Sequence, residues 1–220
     1  MPKIIASKSP LSRAEGAGER VLPPLRTTIR KLQTEAGDIP PTRKAQLQKL
    51  ADYLKSKAGG PVHLNFICTH NSRRSHLGMI WAAVAARLFG LVNVITYSGG
   101  TEATAFNPRA VAALERAGFR IDNPGGDNPP YRVHFADDRP PLVCFSKRYD
   151  DPVNPAEAFV AVMTCSDADE NCPLIPGAEL RLTLTYEDPK TADDTPAEAA
   201  RYDERVAQIG RELLYAFSLV

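Results

Sequence analysis

The feature that most restricts the fold of this chain is the segment SHLGMIWAAVAARLFG, residues 75–90, which is apolar on almost every side. A helix of this composition has no polar face for water, so the rest of the chain must cover it on all sides. The 220 residues are enough for one ordinary domain with an extension, or for two small domains. The segment therefore predicts a buried helix inside a layered domain.

Four short, mostly apolar segments with strand character accompany this helix along the chain. They are HLNFIC at 63–68, VNVITYS at 92–98, AFVAVMTC at 158–165 and LRLTLTY at 180–186. Two further helices are indicated, one by Asn107-Pro108 and one by the capping box that begins at Thr195. This order predicts the α/β class, with a parallel four-stranded sheet and helices on both faces. The functional residues of such sheets lie at the carboxyl ends of the strands.

The start of the chain differs from the rest, so we expect an N-terminal extension at 1–60 and a main domain at 61–220. The first 22 residues show no periodicity and are expected to be mobile. Helices are predicted at 25–35 and 42–57, with Thr42 as the N-cap of the second. The extension carries 12 basic and 5 acidic side chains, whereas the main domain carries 15 and 21. Two interpretations stay open: a helical hairpin packed on the main domain, or a docking arm for an acidic partner.

Composition narrows the class of protein. Lys and Arg together number 27 against 26 Asp and Glu, so no overall basic excess points to nucleic acid. No apolar segment reaches the length of a membrane span, and the N-terminus lacks the hydrophobic region of a signal peptide. We therefore expect a cytoplasmic protein, in which the four cysteines serve chemistry before they serve as disulfide staples.

The most informative residues follow the first strand, where five residues separate Cys68 from Arg74 at the start of the buried helix. Backbone N–H groups of such a loop, and of the helix N-terminus, point inward and bind a tetrahedral oxyanion. Arg74 supplies a planar fork that binds two oxygens, and the positive field favours the nucleophilic thiolate form of Cys68. The other residues of the predicted oxyanion loop are Thr69, His70, Asn71, Ser72, Arg73 and Ser75.

Two of these residues have expected roles inside the loop. Ser75 is placed to donate its hydroxyl to the Cys68 thiolate, and Asn71 to bond across the loop and hold its shape. The alternative is a buried cysteine at the end of a strand, beside a solvated basic run, because the bare CxxxxxR spacing is common. The strand before the loop and the helix after it favour the oxyanion loop.

The loop resembles the CxxNxxRS loop of the low-molecular-weight protein tyrosine phosphatases and of the arsenate reductases that share their fold. The resemblance extends through YSGG at 97–100, NP at 107–108 and the region 163–189. It covers about 61–217 and implies the fold of that family. In one departure, His70 stands where the family usually has glycine. Either the backbone is not left-handed there, or the site tolerates strain.

Cys165 and Cys172 lie seven residues apart, just after the third strand. They are too far apart for a CxxC zinc knuckle and no second pair completes four ligands, so no metal is expected. Their spacing resembles the second and third cysteines of thioredoxin-coupled arsenate reductases. That resemblance implies that Cys68 attacks arsenate, Cys165 then attacks Cys68, and Cys172 closes a disulfide with Cys165 that thioredoxin reduces. Two ordinary cysteines in an acidic turn are the alternative, and Cys144 is expected to be a buried apolar residue.

Asp188-Pro189 follows the last strand and resembles the general acid of both branches of the family. The resemblance implies that Asp188 protonates the leaving oxygen opposite Cys68, the alternative being a turn aspartate. Phosphatases of the family usually carry aromatic residues after this pair, whereas KTA follows here at 190–192, which favours a small inorganic oxyanion. Some reductases of the family bind potassium through a glutamate in the first helix. Met79 stands at that position, so that site is not expected.

The resemblance therefore implies an arsenate reductase that uses thioredoxin as its external reductant and no cofactor. The alternative enzyme is a phosphatase that acts through a Cys68 phosphocysteine intermediate, with Cys165 and Cys172 protecting Cys68 from oxidation. A third hypothesis is a non-catalytic oxyanion or redox sensor, against which the combination of nucleophile, arginine and acid counts. The segment 124–155 is longer than the family connection, and its role is open between an active-site lid and a partner site.

Overall fold

The computed structural model describes residues 20–57, 59–171 and 174–220. Residues 1–19, most of the segment expected to be mobile, lie outside the described residues, as does Cys172. In chain order the elements are α1 Pro23–Thr34, α2 Pro41–Ser56, β1 Val62–Cys68, α3 Arg74–Leu88, β2 Val94–Gly100, α4 Pro108–Arg116, β3 Arg120–Asp122, β4 Tyr131–His134, β5 Leu142–Cys144, β6 Phe159–Met163, α5 Ser166–Asn171, β7 Ala178–Thr183 and α6 Glu198–Ser218. Short 3-10 helices occupy Glu35–Asp38 and Pro189–Ala192.

Four strands form the central sheet, in the order β2-β1-β6-β7, and every pair in it is parallel. This arrangement confirms the predicted four-stranded parallel sheet. Cys68 at the end of β1 pairs with Gly100 at the end of β2, and Ile67 pairs with Met163 at the end of β6. The segments that follow these strands therefore start from the same edge of the sheet.

Alternate side chains of β1 and β6 enter two separate hydrophobic cores, because successive side chains of a strand point to opposite faces. The larger core, which also holds α3, receives Leu64, Phe66, Val160 and Val162. The smaller core, which α5 joins through Ala168, receives Ile67, Phe159, Ala161 and Met163. Helices therefore lie on both faces of the sheet, as predicted.

Helix α3 is the predicted central helix, and all of its residues except Arg74 and Arg87 are buried. Trp81 is wholly buried and meets the ring of Phe119 edge-on, with ring centroids 5.4 Å apart. On α6, a Cβ atom added to Gly210 would lie only 2.7 Å from the Trp81 ring. The close approach of α6 to the indole shows how α3 is covered on the side away from the sheet.

A second sheet, antiparallel and in the order β3-β4-β5, lies outside the sequence prediction. Two of its strands belong to the segment 124–155, which the sequence presents as an extended connection rich in prolines. Strands of three or four residues are too short for the alternation of apolar and polar side chains to be visible. Cys144 lies on β5 and is wholly buried.

The two N-terminal helices are present, and both pack against α6. Their buried side chains join the larger core; these are Leu25, Ile29, Leu32, Leu47, Leu50 and Leu54. The prediction of Thr42 as an N-cap is wrong, since α2 begins at Pro41 with Pro40 in the capping position. Proline suits the first helical position because its missing N–H would have no partner there. The apolar faces of both helices are thus used inside the molecule, which favours the packed interpretation, while the docking arm stays a prediction.

The close contact between α1 and the end of α4 gives a test of this packing. Gly118 has φ +104°, and a Cβ atom there would lie 2.4 Å from the backbone N of Leu25. We expect Gly118→Ala to lower the free energy of unfolding, measured in urea, by about 2–4 kcal/mol, because a left-handed alanine and an overpacked contact both cost energy. Gly125→Ala is the control, since Gly125 has φ +81° but no atom within 4 Å of the added Cβ. Equal losses in the two variants would contradict the packing of α1 on α4.

Candidate active site

The loop after β1, residues 69–73, is anchored to the end of β2 and to the start of α4. Three backbone bonds hold it: Thr101 N to Cys68 O, Glu102 N to Thr69 O and Asn107 N to Ser72 O, at 3.1, 2.8 and 2.9 Å. Gly100 permits this close approach, since a Cβ atom there would lie 2.6 Å from the backbone N of Asn71. The shape of the loop is therefore set by the sheet and by α4 as well as by its own residues.

Cys68, the predicted nucleophile, is linked to Ser75 and Asn71 by a chain of side-chain contacts. Its Sγ lies 3.1 Å from Ser75 Oγ, and Asn71 Nδ2 donates to the same Oγ at 2.8 Å. The amide nitrogen can only donate, so the Ser75 oxygen accepts that bond and its own proton is left for the sulfur. All three residues are buried, which limits competition from water. The geometry places Ser75 and Asn71 in the positions that the sequence led us to expect.

The left-handed residue of the loop is Asn71, with φ 44°, and not His70. Asparagine tolerates this conformation better than most residues do. Asn71 Oδ1 accepts a bond from the backbone N of Lys147 at 2.9 Å, and the His70 carbonyl accepts from the hydroxyls of Thr104 and Ser146. Of the two alternatives for His70, the first applies: its backbone is not left-handed, so no glycine is needed.

Arg74 and Asp188 form a close ion pair beside the loop. Arg74 Nη2 donates to Asp188 Oδ2 at 2.6 Å, and Arg74 Nη1 donates to the Tyr186 carbonyl at 2.9 Å. Asp188 Oδ1 also accepts from Lys190 N, which fixes the carboxylate at the start of a 3-10 turn. Arg74 Nε is buried and has no hydrogen-bond partner among the described residues, and a donor of this kind suits an oxygen of a bound anion. The structure thus brings the predicted clamp and the predicted acid together.

Arg73, also part of the predicted loop, directs its side chain elsewhere. Its Nε donates to the Tyr202 hydroxyl of α6 at 2.9 Å. Its guanidinium also lies 3.7 Å from the Asp193 carboxylate and 3.9 Å from that of Asp188. Arg73 therefore ties the loop to α6 and lies beside two carboxylates that precede this helix, so Arg74 stays the predicted clamp.

Cys165 lies two residues beyond the end of β6, beside the loop. Its Sγ is 3.4 Å from Thr69 Oγ1, and the backbone N of Ala168 donates to it at 3.4 Å. Cys165 and Cys68 belong to the same small core, and Thr69 is the next residue after Cys68. The sheet therefore brings two of the three predicted relay cysteines together, while Cys172 lies outside the described residues.

Two aspartates of α5, which the sequence analysis missed, hold the segment that follows Cys165. Thr69 Oγ1 donates to Asp167 Oδ2 at 2.7 Å. Asp169 Oδ1 accepts from the Thr183 hydroxyl at 2.9 Å and lies 2.7 Å from Arg181 Nη2. The sequence signal that could have revealed these aspartates is SDADEN at 166–171, because it places two carboxylates in the first turn of a very short helix.

The segment 124–155, whose role the sequence left open, packs against the back of the loop. Gly100 N donates to the Lys147 carbonyl at 2.9 Å, and Tyr149 N donates to the Gly100 carbonyl at 2.8 Å. Asn154 Nδ2 donates to the Ser98 carbonyl at 3.1 Å. This part of the chain supports the ends of β1 and β2, a role that neither sequence interpretation included.

Cys144 is a wholly buried thiol on β5. Burial raises the pKa of its thiol to about 12, although the charge of Lys147 acts in the opposite direction. The thiol is therefore protonated at neutral pH, as expected for a buried cysteine that serves as an apolar side chain.

Within residues 20–57, 59–171 and 174–220, no three His, Cys, Asp or Glu side chains are close enough together to hold a metal ion. In the same ranges, no helix has both the length and the apolar character needed to cross a membrane.

His76 supports the site from within α3. It is fully buried, stacks on Phe106 with ring centroids 4.1 Å apart, and has Nδ1 3.2 Å from Ser98 Oγ. Burial, and secondarily the charge of Lys147, lowers the pKa of His76 to about 3, although a backbone hydrogen bond to Asn71 acts in the opposite direction. His76 is therefore neutral in the folded protein at every pH at which the enzyme is expected to work.

We expect stability to fall as the pH drops below about 6.5, because the unfolded chain then binds a proton at His76 that the folded chain does not. Between pH 7 and 5 this residue alone should cost about 2 kcal/mol. Urea unfolding at pH 7 and pH 5 should show that the free energy of unfolding falls less between these pH values in His76→Gln than in the parent protein. An unchanged pH dependence in His76→Gln would show that His76 is not the group responsible.

No protein-family model matches the chain, but individual known proteins resemble it. Among solved structures, the low-molecular-weight phosphotyrosine phosphatase of Vibrio cholerae aligns with a TM-score of 0.46 and 16% identity, over 70% of this chain and 93% of its own. The thioredoxin-dependent arsenate reductase Cg_ArsC1' of Corynebacterium glutamicum aligns with a TM-score of 0.42 and 22% identity, over 81% of this chain and 71% of its own.

Two curated arsenate reductases are similar to this chain in sequence. The arsenate reductase of Bacillus licheniformis is 31% identical over 150 residues, which cover 67% of this chain and 89% of that relative. The arsenate reductase of Bacillus subtilis is 30% identical over 149 residues, with the same two coverages. At this identity, over nearly nine tenths of the relatives' length, the chain belongs to the arsenate reductase family.

Proposed function

We propose that this protein reduces arsenate to arsenite by a relay of three thiols. The observation that carries the proposal is the position of Cys165, whose thiol lies 3.4 Å from the hydroxyl of Thr69, the residue next to Cys68. Hydrolysis of a phosphate ester uses the loop and an acid, and a second thiol beside the nucleophile takes no part in that reaction, whereas the relay requires one. Membership of the arsenate reductase family supports the same conclusion.

The first step forms a bond between sulfur and arsenic. The Cys68 thiolate attacks the arsenic atom of arsenate, while Arg74 and the loop N–H groups bind its oxygens. One oxygen of arsenate leaves as water after it accepts a proton, and we assign that proton to Asp188 in its protonated form, in which the carboxyl no longer serves as the ion partner of Arg74. The ion pair with Arg74 holds the Asp188 carboxyl beside the loop. Ser75 stabilises the sulfur before the attack through its hydroxyl proton.

The second step reduces arsenic. The Cys165 thiolate attacks Cys68 Sγ, a disulfide forms between the two sulfurs, and the electron pair of the sulfur–arsenic bond stays on arsenic, which leaves as arsenite. Two thiols thus become one disulfide as As(V) becomes As(III). Thr69 has one hydroxyl proton and donates it to Asp167, so the Cys165 thiol is the donor in its contact with Thr69. This contact fixes the direction of the Cys165 sulfur before it loses its proton.

The last steps restore the enzyme. Cys172 attacks Cys165 Sγ, which releases the Cys68 thiolate and leaves a disulfide between Cys165 and Cys172. An external dithiol then reduces that disulfide, and we propose thioredoxin for this role. No cofactor is needed, because the reductant supplies both electrons. A relay of free thiols requires a reducing compartment, so the proposal places the enzyme in the cytoplasm.

A phosphatase is the second candidate, because Cys68, Arg74 and Asp188 would also serve phosphate-ester hydrolysis. One observation weakens it for phosphotyrosine. After Pro189, Lys190 and Thr191 continue a 3-10 turn where the resemblance leads us to expect aromatic walls for a phenyl ring. A small inorganic oxyanion needs no such wall.

The relay gives a test that separates the two candidates. We expect Cys165→Ser to stop multiple turnover with arsenate, because nothing then resolves the adduct on Cys68. Cys172→Ser should release about one arsenite per enzyme and retain a disulfide between Cys68 and Cys165. Arsenite release in the presence of thioredoxin and its reductase, and mass mapping of disulfides after a single turnover, measure these outcomes.

Controls make the relay experiment specific. Cys144→Ala should reduce arsenate at the parent rate, since its thiol is buried on β5 away from the relay. Cys68→Ser should abolish turnover while it retains oxyanion binding. Hydrolysis of an aryl phosphate, if present, should survive in Cys165→Ser and Cys172→Ser. Parent rates of arsenate reduction in both of those variants would refute the relay and favour the phosphatase.

The clamp gives a second test. Arg74→Lys should lower kcat/KM for arsenate by about 30- to 1000-fold, roughly 2–4 kcal/mol, because a point charge cannot bind two anion oxygens and also Asp188 and Tyr186. Steady-state kinetics measure the loss of kcat/KM. Arg73→Lys is the comparison and should lower kcat/KM less. A near-parent rate in Arg74→Lys would assign the clamp to another cation.

A further inference from the structure

One side chain of the N-terminal extension reaches the residues that position the active site. Arg43 of α2 is largely enclosed, with 13% of its side chain exposed, and it pairs with Glu212 of α6, which is 3% exposed. The bond from Arg43 Nε to Glu212 Oε2 is 2.7 Å long. Arg43 Nη2 donates to the Thr185 carbonyl at 3.2 Å, in the segment that leads to Asp188.

Arg43 also packs on the next residue of that segment. Its guanidinium carbon lies 4.6 Å from the centre of the Tyr186 ring, which is a cation–π distance. Burial raises the pKa of the Tyr186 phenol, and the carboxylate of Glu212 raises it further, so the ring carries no charge at neutral pH. The guanidinium is therefore balanced by Glu212 and held in a fixed plane against Tyr186.

Tyr186 connects the buried Arg43 to Arg74 of the loop and to the segment that carries Cys165. Its carbonyl accepts from Arg74 Nη1 at 2.9 Å, and its backbone N donates to the Thr164 carbonyl at 3.1 Å. Thr164 immediately precedes Cys165, and Asp188 lies two residues beyond Tyr186. A displacement of Tyr186 would therefore move the clamp, the acid and the start of the redox segment together.

We propose that Arg43 is a positioning residue of the active site, which fixes the place of Arg74 and Asp188 through Thr185 and Tyr186. The inference rests on the proposed function only in naming arsenate as the oxyanion that these two residues meet. It gives the N-terminal extension a part in the enzyme, since α2 supplies the side chain on which the Thr185–Tyr186 segment rests. Neither a hairpin that only covers the core nor a docking arm would need this contact.

The test compares Arg43→Gln with Arg43→Lys in the full chain. We expect Arg43→Gln to weaken binding of inorganic phosphate, measured by titration calorimetry, about 10-fold. Its kcat/KM for arsenate should fall about 10- to 100-fold, with KM raised, because small displacements of positioning groups are costly in catalysis. Arg43→Lys keeps a charge beside Glu212 but loses the planar fork. Its phosphate affinity and its kcat/KM should therefore lie between those of the parent and those of Arg43→Gln.

Arg30→Gln is the matched control, because Arg30 is exposed on α1 of the same extension and should leave every one of these values unchanged. A purely structural role of Arg43 would lower the thermal midpoint but leave KM and phosphate affinity at the parent values in the folded fraction. That result, in a folded Arg43→Gln, overturns the inference. If Arg43→Gln does not fold, parent phosphate affinity in Arg43→Lys overturns it equally.

The phosphate titration also separates this inference from the proposed function. If the parent protein binds phosphate but does not reduce arsenate, the proposed function fails. The effect of Arg43→Gln on phosphate affinity then still supports or overturns the positioning role.

Discussion

The site depends on the guanidinium of Arg74, which joins the start of α3 to the segment after β7. Its bonds to the Tyr186 carbonyl and to Asp188 bring Asp188, the proposed acid, beside the loop that holds Cys68. Because α3 is buried against the sheet and α6, the position of this guanidinium is set by the hydrophobic core rather than by the loop alone. The packing that makes the chain fold therefore also fixes the geometry of the clamp.

The parts of the fold that depend on neighbours in the sequence could be predicted. Apolar residues on all sides of 75–90 require a buried helix, whatever covers it. Asn107 caps α4 by accepting bonds from Arg109 N and Ala110 N, an interaction that spans only three residues. The loop from Cys68 to Arg74 is equally local, because a strand, a short polar segment and a helix follow one another without a break.

The missed parts are contacts between residues far apart in the chain. Asn71 and Lys147 are separated by 76 positions, and the donor is a backbone N–H that nearly any residue would supply. The partner of Thr69 lies 98 positions away, and that of Arg43 lies 169 away. None of these three pairs belongs to a periodic pattern or a motif, so only the folded structure reveals these contacts.

The bond between Asn71 and the backbone of Lys147 also limits how this chain can change in evolution. Any residue except proline can make this contact at position 147, because the donor is the backbone N–H, which proline lacks. The length of the segment is not free, since Gly100 bonds both Lys147 and Tyr149 and fixes their spacing. An insertion or deletion between residues 147 and 149 would therefore break one of the two bonds to Gly100, whereas a substitution at 147 that keeps the backbone N–H would leave the bond to Asn71 in place.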